Sequence, residues 1–269
     1  MRINIKQKPF HKCGSGDDIQ RELCAWYQSP LGQRLAQAEK YVLDDVLPTL
    51  FGYHLIQIGQ YCDMALIQSS KVSHCSVMHT THQAHIASVT DSRLSGLPHA
   101  LPIASDSVDV VILNHVLEFS LYPHHVLREV ERVLVPEGHV VIMMFNPWSL
   151  WSINRLLLRW RHSPPWCGQF ISATRSKDWL ALLGFDVTVS RGYFYRPALQ
   201  QISLMDRLGW FETLGQRLWP ILGGAYTLVA KKKVETLTPI RPSWASRRRR
   251  VVSAGGLVES MESWRKKAS

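Results

Sequence analysis

No run of about eighteen apolar residues occurs anywhere in this sequence, so no helix spanning a membrane is expected. The opening residues, MRINIKQKPFHKCGSG, lack a continuous apolar segment, so no signal peptide is expected and the cytoplasm is the expected compartment. The five cysteines (Cys13, Cys24, Cys62, Cys75 and Cys167) are odd in number, irregularly spaced and contain no CxxC pair. That argues against a disulfide framework and for free thiols in a reducing compartment. His74, His79, His82 and His85 lack paired cysteines or neighbouring acids at ligand spacing, so no metal site is expected. Acidic residues are scarce: 21 Asp and Glu against 31 Lys and Arg give a net charge of +10. A uniformly basic chain would suggest nucleic acid as a partner. Here residues 231–269 alone carry eleven Lys or Arg and three Glu, which leaves the remainder at about +2. The body is nearly neutral and the end of the chain makes it basic.

Hydrophobic residues make up 46% of the 269, enough for a sizeable core. The most informative stretch runs from Leu101 to Asn146. Val108, Val110, Val111, Ile112 and Leu113 form a short apolar run broken only by Asp109, the pattern of a strand buried on both faces. The polar pair Asn114-His115 follows at the expected strand end. Val126, Leu127, Val130, Val133 and Leu134 then recur at helical spacing, with Arg128, Glu129, Glu131 and Arg132 opposite them. Pro136 and Gly138 mark the helix stop, and His139–Phe145 reads as a second buried strand. Strand, helix, strand in this order implies a parallel sheet with helices on its faces.

These residues, LPIASDSVDVVILNHVLEF followed by LREVERVLVPEGHVVI, resemble the central block of class I S-adenosylmethionine-dependent methyltransferases, in the small-molecule branch that includes quinone-biosynthesis enzymes. The resemblance is specific over about forty-five residues and extends more weakly over about residues 50–233. It implies an α/β fold: a Rossmann-like, doubly wound, seven-stranded sheet with helices on both faces and the last strand antiparallel. It also implies S-adenosyl-L-methionine as cofactor. Residues 17–233 would form that domain, 1–16 a flexible lead and 234–269 a basic flexible tail.

The resemblance places the cofactor by position. Tyr53–Gly59, YHLIQIG, reads as the first strand, after which the family carries an acidic residue and a glycine-rich turn. Glycine there lets backbone approach the ligand without a Cβ clash. This chain retains Gly59 but has Gln57 at the acidic position and Tyr61 and Asp63 where later glycines stand. Gln57, Gly59, Gln60 and Tyr61 are thus the implied contacts on this side, with Asn114 opposite. The second strand, Val72–His79, ends without the family's ribose-binding carboxylate, and His79, Thr80 or Thr81 is left in its place. Ile86–Thr90 is read as the third strand, with Asp91 beyond it as the adenine contact. Strict spacing back from Leu101 lands instead on Leu97, so Asp91 requires an insertion. His115 is the candidate general base, since it follows a strand whose carboxyl end should face the site and its ordinary pKa suits the role. Glu118 and Glu129 are assigned structural roles.

Elsewhere, Asp17–Gln28 reads as a helix with Ile19, Leu23 and Trp26 inward. Ser29-Pro30 then starts a second helix that carries Leu31, Leu35, Ala38, Val42, Val46 and Leu50 and runs to about Leu50, with Pro48 as an alternative, earlier end. Two aromatic elements, 147–165 and 196–224, follow strands of the sheet. Their Trp148, Trp151, Trp160, Trp210, Phe211 and Trp219 would line an apolar pocket or pack as core. Ser172–Leu183 is helical, and the strands beginning at Phe185 and Ala225 close the sheet. Arg247–Arg250 offer a contact for nucleic acid or anionic lipid. Three readings remain open: a methyltransferase acting on a small apolar molecule, an RNA or protein methyltransferase docking through the tail, and a non-catalytic binding protein with a decayed cofactor site.

Overall fold

The computed structural model describes residues 16–59, 66–79, 92–158, 164–198 and 222–234, with Gly215, Arg217 and Trp219. Strands β1 (His54–Ile58), β2 (His74–His79), β3 (Ser92–Ser95), β4 (Val108–Asn114), β5 (Leu134–Phe145), β6 (Phe185–Tyr193) and β7 (Ala225–Lys232) form one sheet in the order 3-2-1-4-5-7-6. The first five pair in parallel, whereas β7 runs antiparallel to both β5 and β6. This is the doubly wound, seven-stranded α/β arrangement expected from the sequence.

Strand alternation divides the core between two faces. Leu55, Val110, Ile112, Val141, Met143 and Phe145 point toward α1 (Gly16–Tyr27) and α2 (Pro30–Val46). Ile56, Ile58, Val111, Leu113, Ile142 and Met144 point toward α3 (Pro123–Val133) and, through Leu180, α5 (Ala173–Leu182). Chain order reverses between β1 and β4, so the crevice beyond their carboxyl ends is where such a sheet takes a ligand.

The helix boundaries follow the local chemistry. Ser29 caps α2 by accepting from Gly32 N, with Pro30 in the first turn. Pro48 sets the earlier of the two expected ends, in a 3₁₀ turn at Leu47–Thr49. Ser172 caps α5 by accepting from Arg175 N, and Gly184 follows that helix at φ +79°, a left-handed conformation that glycine adopts without strain.

Several expectations need correction. The third strand is Ser92–Ser95 rather than 86–90, which lie outside the described residues. Asp91 thus precedes β3 in sequence instead of following the third strand. β5 begins at Leu134 immediately after α3, not at His139. Leu134 pairs with Val108 and the next pair is Val110–His139, so a bulge absorbs the residues between. Cys24 and Cys167 are disulfide-bonded rather than free, and Cys75 keeps its thiol. Spacing along the chain cannot disclose pairings that only the fold creates. Cys13 and Cys62 lie outside the described residues, as does most of 196–224.

The compact unit holding the sheet ends at Val234, and residues 235–269 form a separate unit outside the described residues. Deleting 236–269 should therefore leave the melting temperature and ligand affinity of the body essentially unchanged. Differential scanning calorimetry of the truncated and full chains checks this, and a large fall on truncation would show that the basic end contributes to folding.

Candidate functional site

The carboxyl end of β4 turns sharply. Asn114 and His115 are fully buried, and His115 takes φ +48°, a left-handed conformation uncommon for a residue with a side chain. Its backbone N–H donates to Met143 O, which ties the turn to β5. Gly59 lies directly beside this turn at φ +82°. A Cβ on Gly59 would come within 2.3 Å of Asn114 O and 2.7 Å of Val116 Cγ2. Glycine is required at position 59 by this close approach of backbone to backbone, whatever ligand lies above it.

His115 joins three parts of the chain. Its Nδ1 lies 2.9 Å from Glu118 Oε1, and its Nε2 lies 2.9 Å from Glu39 Oε1 on α2. Tyr27 of α1 donates to the same Glu39 oxygen at 2.9 Å, and Phe145 N donates to Glu118 Oε1 at 2.6 Å. Glu39, His115 and Glu118 are all buried. Burial alone would push the His115 pKa down, but the charges and hydrogen bonds of Glu118 and Glu39 together raise it to about 10. The ring is therefore an imidazolium at neutral pH, donating from both nitrogens. This corrects the expectation of a general base: with both nitrogens engaged and the proton firmly held, His115 has no free lone pair with which to accept one.

Further polar side chains share the sheet face beneath α1 and α2. Asn114, Met143 and Thr227 stand in one row across β4, β5 and β7. Tyr193, at the end of β6, pairs with Ala225. Its hydroxyl pKa is raised by burial first and then by Glu39 and Glu118, against a smaller opposing influence of Thr227. Five buried atoms along this face make no hydrogen bond, namely Gln57 Nε2, both amide atoms of Asn114, Glu39 Oε2 and Glu118 Oε2, while the Tyr193 and Thr227 hydroxyls have only each other. Buried polar atoms in folded proteins are otherwise nearly all paired, so this concentration marks a place where polar groups from outside the chain belong.

Beside it stands an aromatic wall. The Phe145 ring lies 4.1 Å from that of His115, 5.6 Å from Trp151 and 5.3 Å from Phe170. Trp151, on α4 (Trp151–Leu158), is buried and donates Nε1 to Arg196 O, so it packs as core. Trp148 and Trp219 are exposed, and Trp160, Trp210 and Phe211 lie outside the described residues.

The structure thus brings Gln57, Gly59, Asn114 and His115 together. His79 ends β2 on the same edge, its side chain outside the description. Gln60, Tyr61 and Asp91 lie outside the described residues, and Asp91 precedes β3 in sequence, which removes the argument that set it at that strand's end. Glu129 proves structural, binding Arg132 at 2.9 Å and accepting from Leu101 N. Glu118 lies in the buried cluster with His115 and accepts from Phe145 N. Glu39, Tyr27, Tyr193 and Thr227 escaped the sequence reading. Only Glu39 left a trace there, as a carboxylate on the inward stripe of α2 between Leu35 and Val42.

Among the described residues, no helix is long and apolar enough to cross a membrane, and no group of three or more His, Cys, Asp or Glu could hold a metal ion. The S-adenosylmethionine fit differs between the two ends of the crevice. At β1 and β4, the unpaired amides of Gln57 and Asn114 offer donors and an acceptor suited to an amino acid's carboxylate and ammonium. At β2, the strand ends on His79 with no carboxylate for a ribose.

Comparison with known proteins agrees with this architecture. A methyltransferase-domain family model matches residues 63–142, beginning after the altered glycine turn. The uncharacterized protein YafS of Escherichia coli (strain K12) is 30% identical over 224 residues, covering 81% of this chain and 85% of its own. A SAM-dependent methyltransferase of Thermotoga maritima superposes with a TM-score of 0.58 at 16% identity, over 79% of this chain and 95% of that one. A chain from the Haloferax volcanii complex of a methyltransferase with its Trm112 activator gives 0.56 at 17% identity, over 80% and 98%. With its 3-2-1-4-5-7-6 sheet, its methyltransferase-domain match and these relatives, the chain belongs to the class I S-adenosylmethionine-dependent methyltransferase family.

Proposed function

We propose that this protein uses S-adenosylmethionine to methylate a small molecule with an apolar body. The observation that carries the reading is the set of unpaired Gln57 and Asn114 amides beside the Gly59 turn, at the reversal point of a methyltransferase sheet. When bound, the cofactor supplies a methyl group activated on a sulfonium. The chain's own contribution is to bind, orient and exclude water. Gln57 Nε2 would donate to the carboxylate of the amino-acid end, and Asn114 Oδ1 would accept from its ammonium. Gln57 lacks the charge of the acid usual at its position, so it gives directionality with less attraction. His79, Thr80 or Thr81 remains the proposed substitute for the ribose carboxylate.

Helices α1 and α2 close the crevice from one face, held down by Tyr27 and Glu39. The aromatic rings of Phe145 and Phe170 support an acceptor with an apolar body through burial of nonpolar area, at about 25 cal/mol per Å². An RNA groove would instead call for basic charge spread over the body. The test is transfer of label from methyl-tritiated S-adenosylmethionine to quinone-like and acyl compounds or to a short RNA, with the full and tail-deleted chains. Label in an apolar compound, independent of the tail, is the expected result. Label in RNA alone, or tight cofactor binding with no acceptor labelled, would favour the two other readings.

A further inference from the structure

Apart from the amides assigned to the cofactor, two unpaired buried carboxyl oxygens, Glu39 Oε2 of α2 and Glu118 Oε2 after β4, lie near the mutually bonded hydroxyls of Tyr193 on β6 and Thr227 on β7. Tyr193 is 3% exposed and Thr227 fully buried, and the Tyr193 hydroxyl feels the charge of both Glu39 and Glu118. Two carboxyl groups flank one imidazole ring, and each keeps one oxygen without a partner in a nonpolar interior. A buried polar atom without a partner is costly. The unpaired atoms are two carboxyl oxygens, and the hydroxyls beside them can also accept, so the complement is a compact multiple donor, as an ammonium is. A carboxylate would be repelled, and a neutral hydroxyl, with one proton to donate, would leave one of the oxygens unpaired. Phe145, its ring tilted against that of His115, supplies an apolar neighbour for the rest of such a molecule.

We infer that the Glu39–His115–Glu118 group, with Tyr193 and Thr227, is a binding site for the protonated amine of a small amphipathic molecule. This rests on the methyltransferase reading and narrows it, making the acceptor a primary or secondary amine. A carboxylate oxygen in contact with the ammonium also takes the proton that nitrogen must release before its lone pair is available.

Calorimetry with 2-phenylethylamine, 2-phenylethanol and 3-phenylpropionate, with and without saturating S-adenosylhomocysteine, tests the proposal. The amine is expected to bind about tenfold or more tightly than the alcohol, as charge-assisted hydrogen bonds require, with no binding of the acid. Tyr193→Phe removes a hydroxyl whose one protein partner is the Thr227 hydroxyl, so it should still fold and bind the amine several-fold more weakly, with S-adenosylhomocysteine affinity unchanged. Glu39→Gln should reduce amine binding further. Equal binding of amine and alcohol, binding of neither, or unaltered amine affinity in Tyr193→Phe would overturn the proposal and leave ordered water as the partner of these atoms. Failure of S-adenosylhomocysteine to bind, with the amine still bound, would instead sink the methyltransferase reading.

Discussion

His115→Gln is expected to be among the most destabilising single substitutions in the protein, at about 3–5 kcal/mol, because it leaves Glu39 and Glu118 buried without their shared cation. Glutamine cannot donate in both directions along the imidazole axis and carries no charge. The same substitution should alter the pH dependence of stability. The folded pKa of His115 is raised from 6.5 to about 10, so the folded state holds a proton that the unfolded chain releases near 6.5. The imidazolium's contribution is fully present below pH 6.5 and is lost progressively as pH rises through about 10. Urea unfolding at intervals from pH 6 to pH 10 should show wild-type stability declining across that window, with a much shallower decline in the variant. Parallel curves would show that His115 is not the charged centre of the group.

Gly59→Ala should be nearly as damaging. A Cβ at φ +82° is strained, at roughly 1–3 kcal/mol, and here it also meets Asn114 O at 2.3 Å. The Asn114-His115 turn must shift, which disturbs both the unpaired amide and the imidazolium bridge. Stability and S-adenosylmethionine affinity should therefore fall together, as read by denaturant unfolding alongside calorimetry. Loss of affinity with unchanged stability would mean that Gly59 faces only ligand, as the family's glycines do. An unchanged protein would contradict the backbone contact itself.

The central strands were legible because a buried strand leaves an apolar run, as in Val108–Leu113 with Asp109 alone inside it, and a helix leaves a 3.6-residue stripe, as in Val126–Val133. The cap at Ser29 was readable for the same reason: its chemistry is local. β3 was misplaced because Ser92–Ser95 is short and polar, with only Leu94 to mark it. The central site was the least legible. His115 stands one residue beyond a clear strand and invites the role of base, yet its partners come from Glu39, 76 residues earlier, and from Glu118, three residues later. Tyr193 and Thr227 join it only through the pairing of β6 and β7 across an insertion. Protonation is set by those contacts, so the change from base to imidazolium could not be seen from the position of His115 alone.

The central claim is tested most directly by titrating S-adenosylmethionine into the intact wild-type protein in a calorimeter. Saturable binding at one site per chain, weakened when Gln57 or Asn114 is replaced by leucine, is the expected result. No heat of binding at millimolar ligand, in a protein shown to be folded by its cooperative unfolding, would contradict it.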